Sequence, residues 1–302
     1  MRLRLTPLSW LAPSLALGLG VSLAAQHDLG AVLQRIGAYV EQYYSRAQSF
    51  MGTETVRLQP VRPDLIADGF ARRLDYDLRV EWTPRGSGEP ATATMVRELL
   101  TINGRKPRPK DEPQCLDPSG EQAEPMSLLL PESQSDYKFS WAGTTRIDGR
   151  RVAMIDYRET VETSASVAWK DDRCMSAQIE GRWRGRVWAD PGSGEVLRLD
   201  THLQGMVDFP VPRERQGEWG GVVTLDRADF SVRYKPVAFR DPDETLLLPT
   251  TIETLTVWRG GSRTRKTQQF SNYRRFLNGA RLVDSDGIVF DGVDQPSETL
   301  TR

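Results

Sequence analysis

His202 follows Asp200 by two residues in Arg198-Leu-Asp-Thr-His-Leu203, a spacing that puts carboxylate and imidazole on one face of a strand. A carboxylate-oriented imidazole is half of a nucleophilic triad, and the other half is a serine or cysteine. No Gly-x-Ser-x-Gly elbow accompanies it, and no serine or cysteine is marked out as its partner. The pattern reads more simply as a strand histidine paired across a sheet. The chain has only one other histidine, His27, so a histidine-rich metal centre is excluded. There is also no His-Glu-x-x-His and no Gly-rich phosphate loop. Close acidic pairs (Asp75/Asp77, Asp171/Asp172, Asp241/Asp243) are too common to mark a glycosidase, whose two acids must stand at a set separation across a cleft. Asp284-Ser-Asp-Gly287 resembles the start of a calcium loop but lacks the third acid and the bidentate glutamate. The expectation is a protein with no catalytic residues, no metal and no cofactor.

Two further features carry chemistry of a different kind. Cys115 and Cys174 each lie in a polar stretch, Asp111-Glu-Pro-Gln-Cys115 and Asp171-Asp-Arg-Cys174. In an oxidising compartment two such cysteines pair; the alternative is two unpaired loop thiols. Arg182-Trp-Arg-Gly-Arg-Val-Trp188 interleaves basic and aromatic residues as a nucleic-acid surface does. With 40 Lys and Arg against 41 Asp and Glu, and a net charge of −1, the whole chain has no pull on nucleic acid. The segment reads as an alternating strand with arginine stems over its polar face.

The N-terminus sets the compartment. Met1-Arg-Leu-Arg4 is a short basic start, an apolar stretch follows from about Leu8 to Leu23, and Ser22-Leu-Ala24 offers small residues for a signal peptidase. The stretch is short for a bilayer span and is interrupted by Pro13, Gly18 and Gly20. Residues 1–24 are thus expected to be a secretory signal, and the mature protein to carry no transmembrane segment and to work outside the cytoplasm, in the periplasm or beyond it.

Elements follow from periodicity. Over 29–48, Leu29, Val32, Leu33, Ile36, Val40, Tyr43 and Ala47 recur at three- and four-residue steps, an amphipathic helix with Asp28 as a candidate cap. Nearly everything afterwards alternates with period two. In Arg73-Leu-Asp-Tyr-Asp-Leu-Arg-Val-Glu-Trp82, Leu74, Tyr76, Leu78, Val80 and Trp82 share one face and four charged residues the other. Strands are expected at 53–58, 73–82, 95–102, 137–141, 151–157, 179–189, 196–207, 222–234, 250–258 and 268–276. Asn103-Gly104, Asp148-Gly149, Asp190-Pro-Gly-Ser-Gly194 and Arg259-Gly-Gly261 are turn signals between them. About ten strands on short turns imply one large antiparallel sheet, curved because flat sheets of that size are unusual. A Pro-rich stretch at 104–125 reads as an exposed loop, Pro125-Met-Ser-Leu-Leu-Leu-Pro131 as a short helical segment, and 278–302 as an acidic, loosely ordered tail. A curved sheet with a helix on its concave side encloses apolar space, the usual form of a small-molecule site.

The order of parts, with Arg97-Glu-Leu-Leu-Thr-Ile-Asn-Gly104, the Gly185-Arg-Val-Trp-Ala-Asp-Pro-Gly-Ser-Gly194 hairpin and Phe270-Ser-Asn-Tyr-Arg-Arg-Phe276, resembles the LolA/LolB-like superfamily of periplasmic lipoprotein carriers. The resemblance spans most of 28–277. It implies a mainly β fold, a half-open β-barrel domain over 25–277 whose concave side is lidded by helices and holds acyl chains without catalysis. Tyr76, Leu78, Val80 and Trp82, beneath Ile36 and Val40 of the helix, are the cavity-facing candidates. The chain is longer than a minimal carrier, and none of the carriers' functional residues maps onto it position by position. Three functions remain in view: a binding protein for a lipid or lipidated partner, an envelope interaction or stress-sensing module built on the same scaffold, and a secreted hydrolase. An open apolar cavity, a filled interior with an exposed apolar edge, and a cleft with two perturbed carboxylates would distinguish them. Oligomeric state is not readable from the sequence.

Overall fold

In the computed structural model, the structure describes residues 20–46, 49–83, 92–118, 125–169, 174–240, 243–277, 281–283 and 289–291. Helix α1 (Gly20–Arg46) leads into β1 (Ser49–Pro60), β2 (Arg72–Thr83) and β3 (Thr92–Ile102). A 3₁₀ turn, Pro125–Leu129, precedes β4 (Tyr137–Ile147) and β5 (Arg150–Glu159). A short pair follows, β6 (Ser164–Trp169) and β7 (Met175–Glu180), then β8 (Trp183–Ala189), β9 (Val196–Leu203) and β10 (Val207–Pro210). The long strands β11 (Val222–Arg240), β12 (Asp243–Trp258) and β13 (Arg263–Leu277) come next, and β14 (Arg281–Val283) and β15 (Val289–Asp291) continue beyond β13.

Thirteen strands form one antiparallel sheet in the order β3-β2-β1-β13-β12-β11-β9-β8-β5-β4, with β10 beside β11, and β6 and β7 forming a separate hairpin. The sheet is left open, since β3 and β4 end it without pairing to each other. It is also curved. Leu78 on β2 and Ile155 on β5 are seven strands apart, about 34 Å across a flat sheet, yet both belong to one buried cluster with Val32, Ile36 and Val40 of α1. The fold is the expected open half-barrel, with α1 and the Pro125–Leu129 turn on its concave side.

Local chemistry explains the elements. Every residue of the α1 stripe at Val32, Ile36, Val40 and Tyr43 is buried. The helix begins upstream of the expected start, at Gly20, so it takes in the end of the segment read as a secretory signal; residues 1–19 of that segment lie outside the described residues. Asn103 and Gly104 have φ of 50° and 78°, and Asp148 and Gly149 49° and 80°, the paired left-handed conformations of two-residue hairpins. The expected strand at 179–189 is broken at Gly181, where φ is 72°, into β7 and β8. Strand β6 escaped the sequence reading because its Ser164-Ala-Ser stretch is small and mostly exposed, with little apolar alternation to detect.

The β8–β9 hairpin holds the helix in place. Asp190 Oδ1 accepts from the backbone N–H of Gly192 (2.8 Å) and Ser193 (3.2 Å), and Arg150 pairs with Asp190 and Glu195 across the neighbouring strand. The turn so fixed meets α1 directly: Arg35 Nε donates to the Pro191 carbonyl at 2.8 Å. A Cβ on Gly194 (φ 81°) would sit 2.3 Å from the Arg35 carbonyl oxygen. Gly205 has a similar φ of 72° with open space around it. Gly205→Ala is therefore expected to cost about 1 kcal/mol of backbone strain alone. Gly194→Ala adds overpacking against α1 and should cost about 3 kcal/mol in urea unfolding. Equal costs would show that the hairpin and α1 are not in contact.

Candidate functional site

Among the described residues, the two predicted sets of residues meet between α1 and the sheet. Ile36 and Val40 from the helix and Leu78 and Val80 from β2 are all buried in the same cluster. Met126, Leu129 and Leu130, from the 3₁₀ turn and the residue after it, are wedged into that cluster and are equally inaccessible. A cavity of about 30 Å³ remains among Phe50, Leu78, Val80, Met95, Pro125 and Phe270, with Tyr234 and Tyr273 close by. That is room for about one water, not for an acyl chain. Beneath α1 the concave side is thus lined by apolar side chains, and the protein's own 3₁₀ turn fills it there. The side chain of Trp82 lies outside the described residues.

Tyr76 lies elsewhere. It packs with Val56, Leu58, Leu74 and Ile102 in a second cluster. The two clusters are separated by a belt of polar side chains on the same inner face. Glu54, fully buried on β1, takes Arg97 Nε from β3 at 2.5 Å and Gln268 Nε2 from β13 at 2.6 Å. Arg97 Nη2 also lies 3.3 Å from Met95 Sδ, at the cavity wall. The register explains the placement: Glu54 is opposite Tyr76 and Phe270, Arg97 opposite Leu78, and Gln268 opposite Ile252 and Val56. Among the described residues, Gln268 Oε1 is buried without a hydrogen-bond partner. Burial pushes the Lys266 ammonium below its usual range; Glu54 opposes the shift and Arg97 adds to it. Burial pushes the Tyr76 phenol up to about 12, with Asp117 and Glu54 contributing. A sequence signal for this belt existed. Glu54 shares strand parity with Val56 and Leu58, and Arg97 with Met95 and Leu99, so each is a charge on the apolar face of its strand.

The cysteines are joined. Cys115 and Cys174 form a disulfide with Cα atoms 5.1 Å apart. It ties the Pro-rich segment to the β6–β7 hairpin, and Asp117 in that segment forms a bidentate pair with Arg72 of β2 at 3.2 and 2.9 Å. His202 pairs across the sheet as expected, its Nδ1 2.9 Å from Asp229 Oδ1, while Asp200 is held by Arg198 and Ser231. Among the described residues, the carboxyls with displaced pKa values all move down. Asp111 is held low by Arg105. At Asp75 burial pushes up but is outweighed by hydrogen bonds from Thr101 and Thr55, and at Asp190 by the N–H groups of Gly192 and Ser193. That direction is the opposite of what a proton-donating acid needs. Among the described residues, no three His, Cys, Asp or Glu side chains gather where they could hold a metal ion, and no helix is long and apolar enough to cross a membrane.

No family model matches the chain, and no curated protein is recognisably similar to it. Solved structures are similar to it in fold. One is a putative outer membrane lipoprotein-sorting protein domain from Vibrio parahaemolyticus, 12% identical over 84% of this chain and 94% of that one, with a TM-score of 0.37. A LolA superfamily protein from Nitrosomonas europaea is likewise 12% identical over the same shares, with a TM-score of 0.30. A DUF1329 family protein from Desulfovibrio piger is 10% identical over 84% and 94% of the two chains, with a TM-score of 0.35.

Proposed function

We propose that the protein is an exported, non-enzymatic binding protein for an apolar chain, whether of a lipid, a free acyl group or a lipidated partner. The chain would lie against Leu78 and Val80, beneath Ile36 and Val40, in the space now held by Met126, Leu129 and Leu130. One observation carries this reading: among the described residues, Met126, Leu129 and Leu130 meet the sheet by side-chain packing, and the first backbone hydrogen bond toward a strand comes only after them, where Thr160 beside β5 donates to the Asp136 carbonyl at 2.8 Å. The backbone hydrogen bonds of Leu130, Ser133 and Gln134 all stay within the segment, and Gln134 Nε2 reaches across only to the Leu33 carbonyl of α1, at 3.2 Å. Displacing the segment therefore breaks no strand pairing.

The energetics set a threshold. Re-exposing three buried apolar side chains costs about 6 kcal/mol, which about eight buried methylenes return. Straight-chain fatty acids of increasing length, titrated into the protein, should show saturable binding only beyond about that length. Leu129→Ala weakens the competing segment and should tighten binding about tenfold while lowering stability. A residue of ordinary core would lose stability on truncation with no gain in binding. If no chain length binds saturably to either protein, the reading fails.

A second reading has its own support, in the filled interior together with Val96 and Leu100, 54% and 42% exposed on the edge strand β3. On that reading the half-barrel is the scaffold of an envelope interaction module, and loss of fatty-acid binding in every arm above is the result that favours it.

A further inference from the structure

On the outer face of the sheet, several arginines are neutralised by an aspartate two residues along the same strand. Arg73 pairs with Asp75 at 2.9 Å, Arg198 with Asp200 at 2.6 Å and Arg227 with Asp229 at 2.6 Å. Others pair across strands, as Arg186 does with Asp156. One row instead sets three cations without either kind of partner side by side. Lys138 of β4 is directly opposite Arg158 of β5, and Arg158 is directly opposite Arg184 of β8. The three exposed cations point the same way from adjacent strands, about 5 Å apart at their bases. None has an ion-pair or hydrogen-bond partner among the described residues. The carboxylates that could serve them are already taken: Asp156 holds Arg186 at 2.5 and 3.0 Å, and Asp200 holds Arg198 and Ser231. Like charges set directly opposite on a sheet destabilise it, so this row works against the fold that carries it.

The row borders a groove of about 630 Å³ that is also lined by Ser140 and Trp188 and by the ion-paired Asp156, Arg186 and Asp200, within the size range of small-molecule sites. Arg198 stacks over the Trp188 ring at 4.6 Å, which fixes that wall. We infer that this groove binds a ligand carrying two or more neighbouring phosphate groups. Two guanidinium forks and an ammonium side by side offer more donors and charge than a single carboxylate can use, and guanidinium geometry matches phosphate oxygens in pairs. The same chemistry arises in a soluble polyphosphate ester and at a membrane surface where anionic phospholipid headgroups set their phosphates side by side. The site lies on the face opposite the apolar cavity and stands independently of it.

Calorimetric titration with inorganic tripolyphosphate at low ionic strength tests the soluble source. Co-sedimentation with phosphatidylcholine vesicles, with and without phosphatidic acid, tests the lipid source. Saturable binding in either arm supports the site and names its source, provided that it weakens with added salt. It must also fall about tenfold in Arg158→Gln and in Arg184→Gln and persist in Arg73→Gln, which removes the same charge elsewhere on the outer face. Both groove variants should keep or raise the melting temperature, because each relieves a like-charge contact. Arg158→Lys, which retains the charge, should retain most of the binding and serves if the glutamine variant does not fold. The site is overturned if neither arm shows binding, if the groove variants bind as well as the wild type, or if Arg73→Gln weakens binding as much as they do.

Discussion

Glu54→Leu will cost about 4 kcal/mol in urea unfolding, because it removes the carboxylate that the buried Arg97 guanidinium is paired with. The two side chains are among the least accessible in the molecule, at 0% and 5% exposure, so water cannot replace the lost partner. The decisive comparison is the double variant Glu54→Leu/Arg97→Met. Replacing a buried ion pair by apolar side chains of similar volume is often neutral or better, so most of the loss should be recovered. A deficit of about 1 kcal/mol should remain, since Gln268 Nε2 loses its acceptor as well. A single variant that costs less than about 1 kcal/mol would show that Arg97 reaches solvent, and the belt between the two apolar clusters would then be no barrier.

The second large effect belongs to the disulfide. Cys115 and Cys174 are 59 residues apart, and cross-linking a loop of that length restricts the unfolded chain by about 4 kcal/mol in the chain-entropy treatment. Cys115→Ser/Cys174→Ser should lower unfolding stability by about that amount, and the wild type in reductant should match the variant. Alkylation of the unfolded, unreduced protein should add no label. Two labels per chain, or a variant as stable as the wild type, would refute the account. The Arg72–Asp117 pair offers a local reporter, since without the disulfide the segment carrying Asp117 is held to the sheet mainly by that contact.

Both effects bear on what the sequence made legible. Alternation in 73–82 identified a half-buried strand, and Leu74, Tyr76, Leu78 and Val80 are all buried. It could not say that Tyr76 and Leu78 enter different clusters, because that division depends on Glu54, Arg97 and Gln268 arriving from three other strands. The α1 stripe was plain for the same reason that it is buried, a fixed angular period. The end of the helix nearest the N-terminus was obscured by the apolar run of the expected secretory signal. Turn chemistry placed Asn103-Gly104 and Asp148-Gly149 correctly, since paired left-handed residues leave few alternatives. The outer groove was half visible. Arg182–Trp188 drew notice as a basic and aromatic run, but Lys138 and Arg158 join it only through strand register, which no local pattern encodes.

The strand order has a consequence for how the chain acquires its shape. One ladder joins β1 to β13, with Phe50 opposite Arg275, so the sheet is completed by pairing strands from opposite ends of the described chain. Contacts of such long sequence separation make for slow folding, because the intervening chain must be ordered before they form. During synthesis the β1–β3 meander emerges first, and β1 keeps one edge unpaired until the last long strand is released. Of the pairings in the sheet order, β5–β8 and β9–β11 also join strands that are not consecutive, but β1–β13 spans by far the most sequence. The interval in which β1 is exposed is the period when the chain is open to wrong strand pairing, and a chaperone that guards this protein would have to act on its N-terminal third.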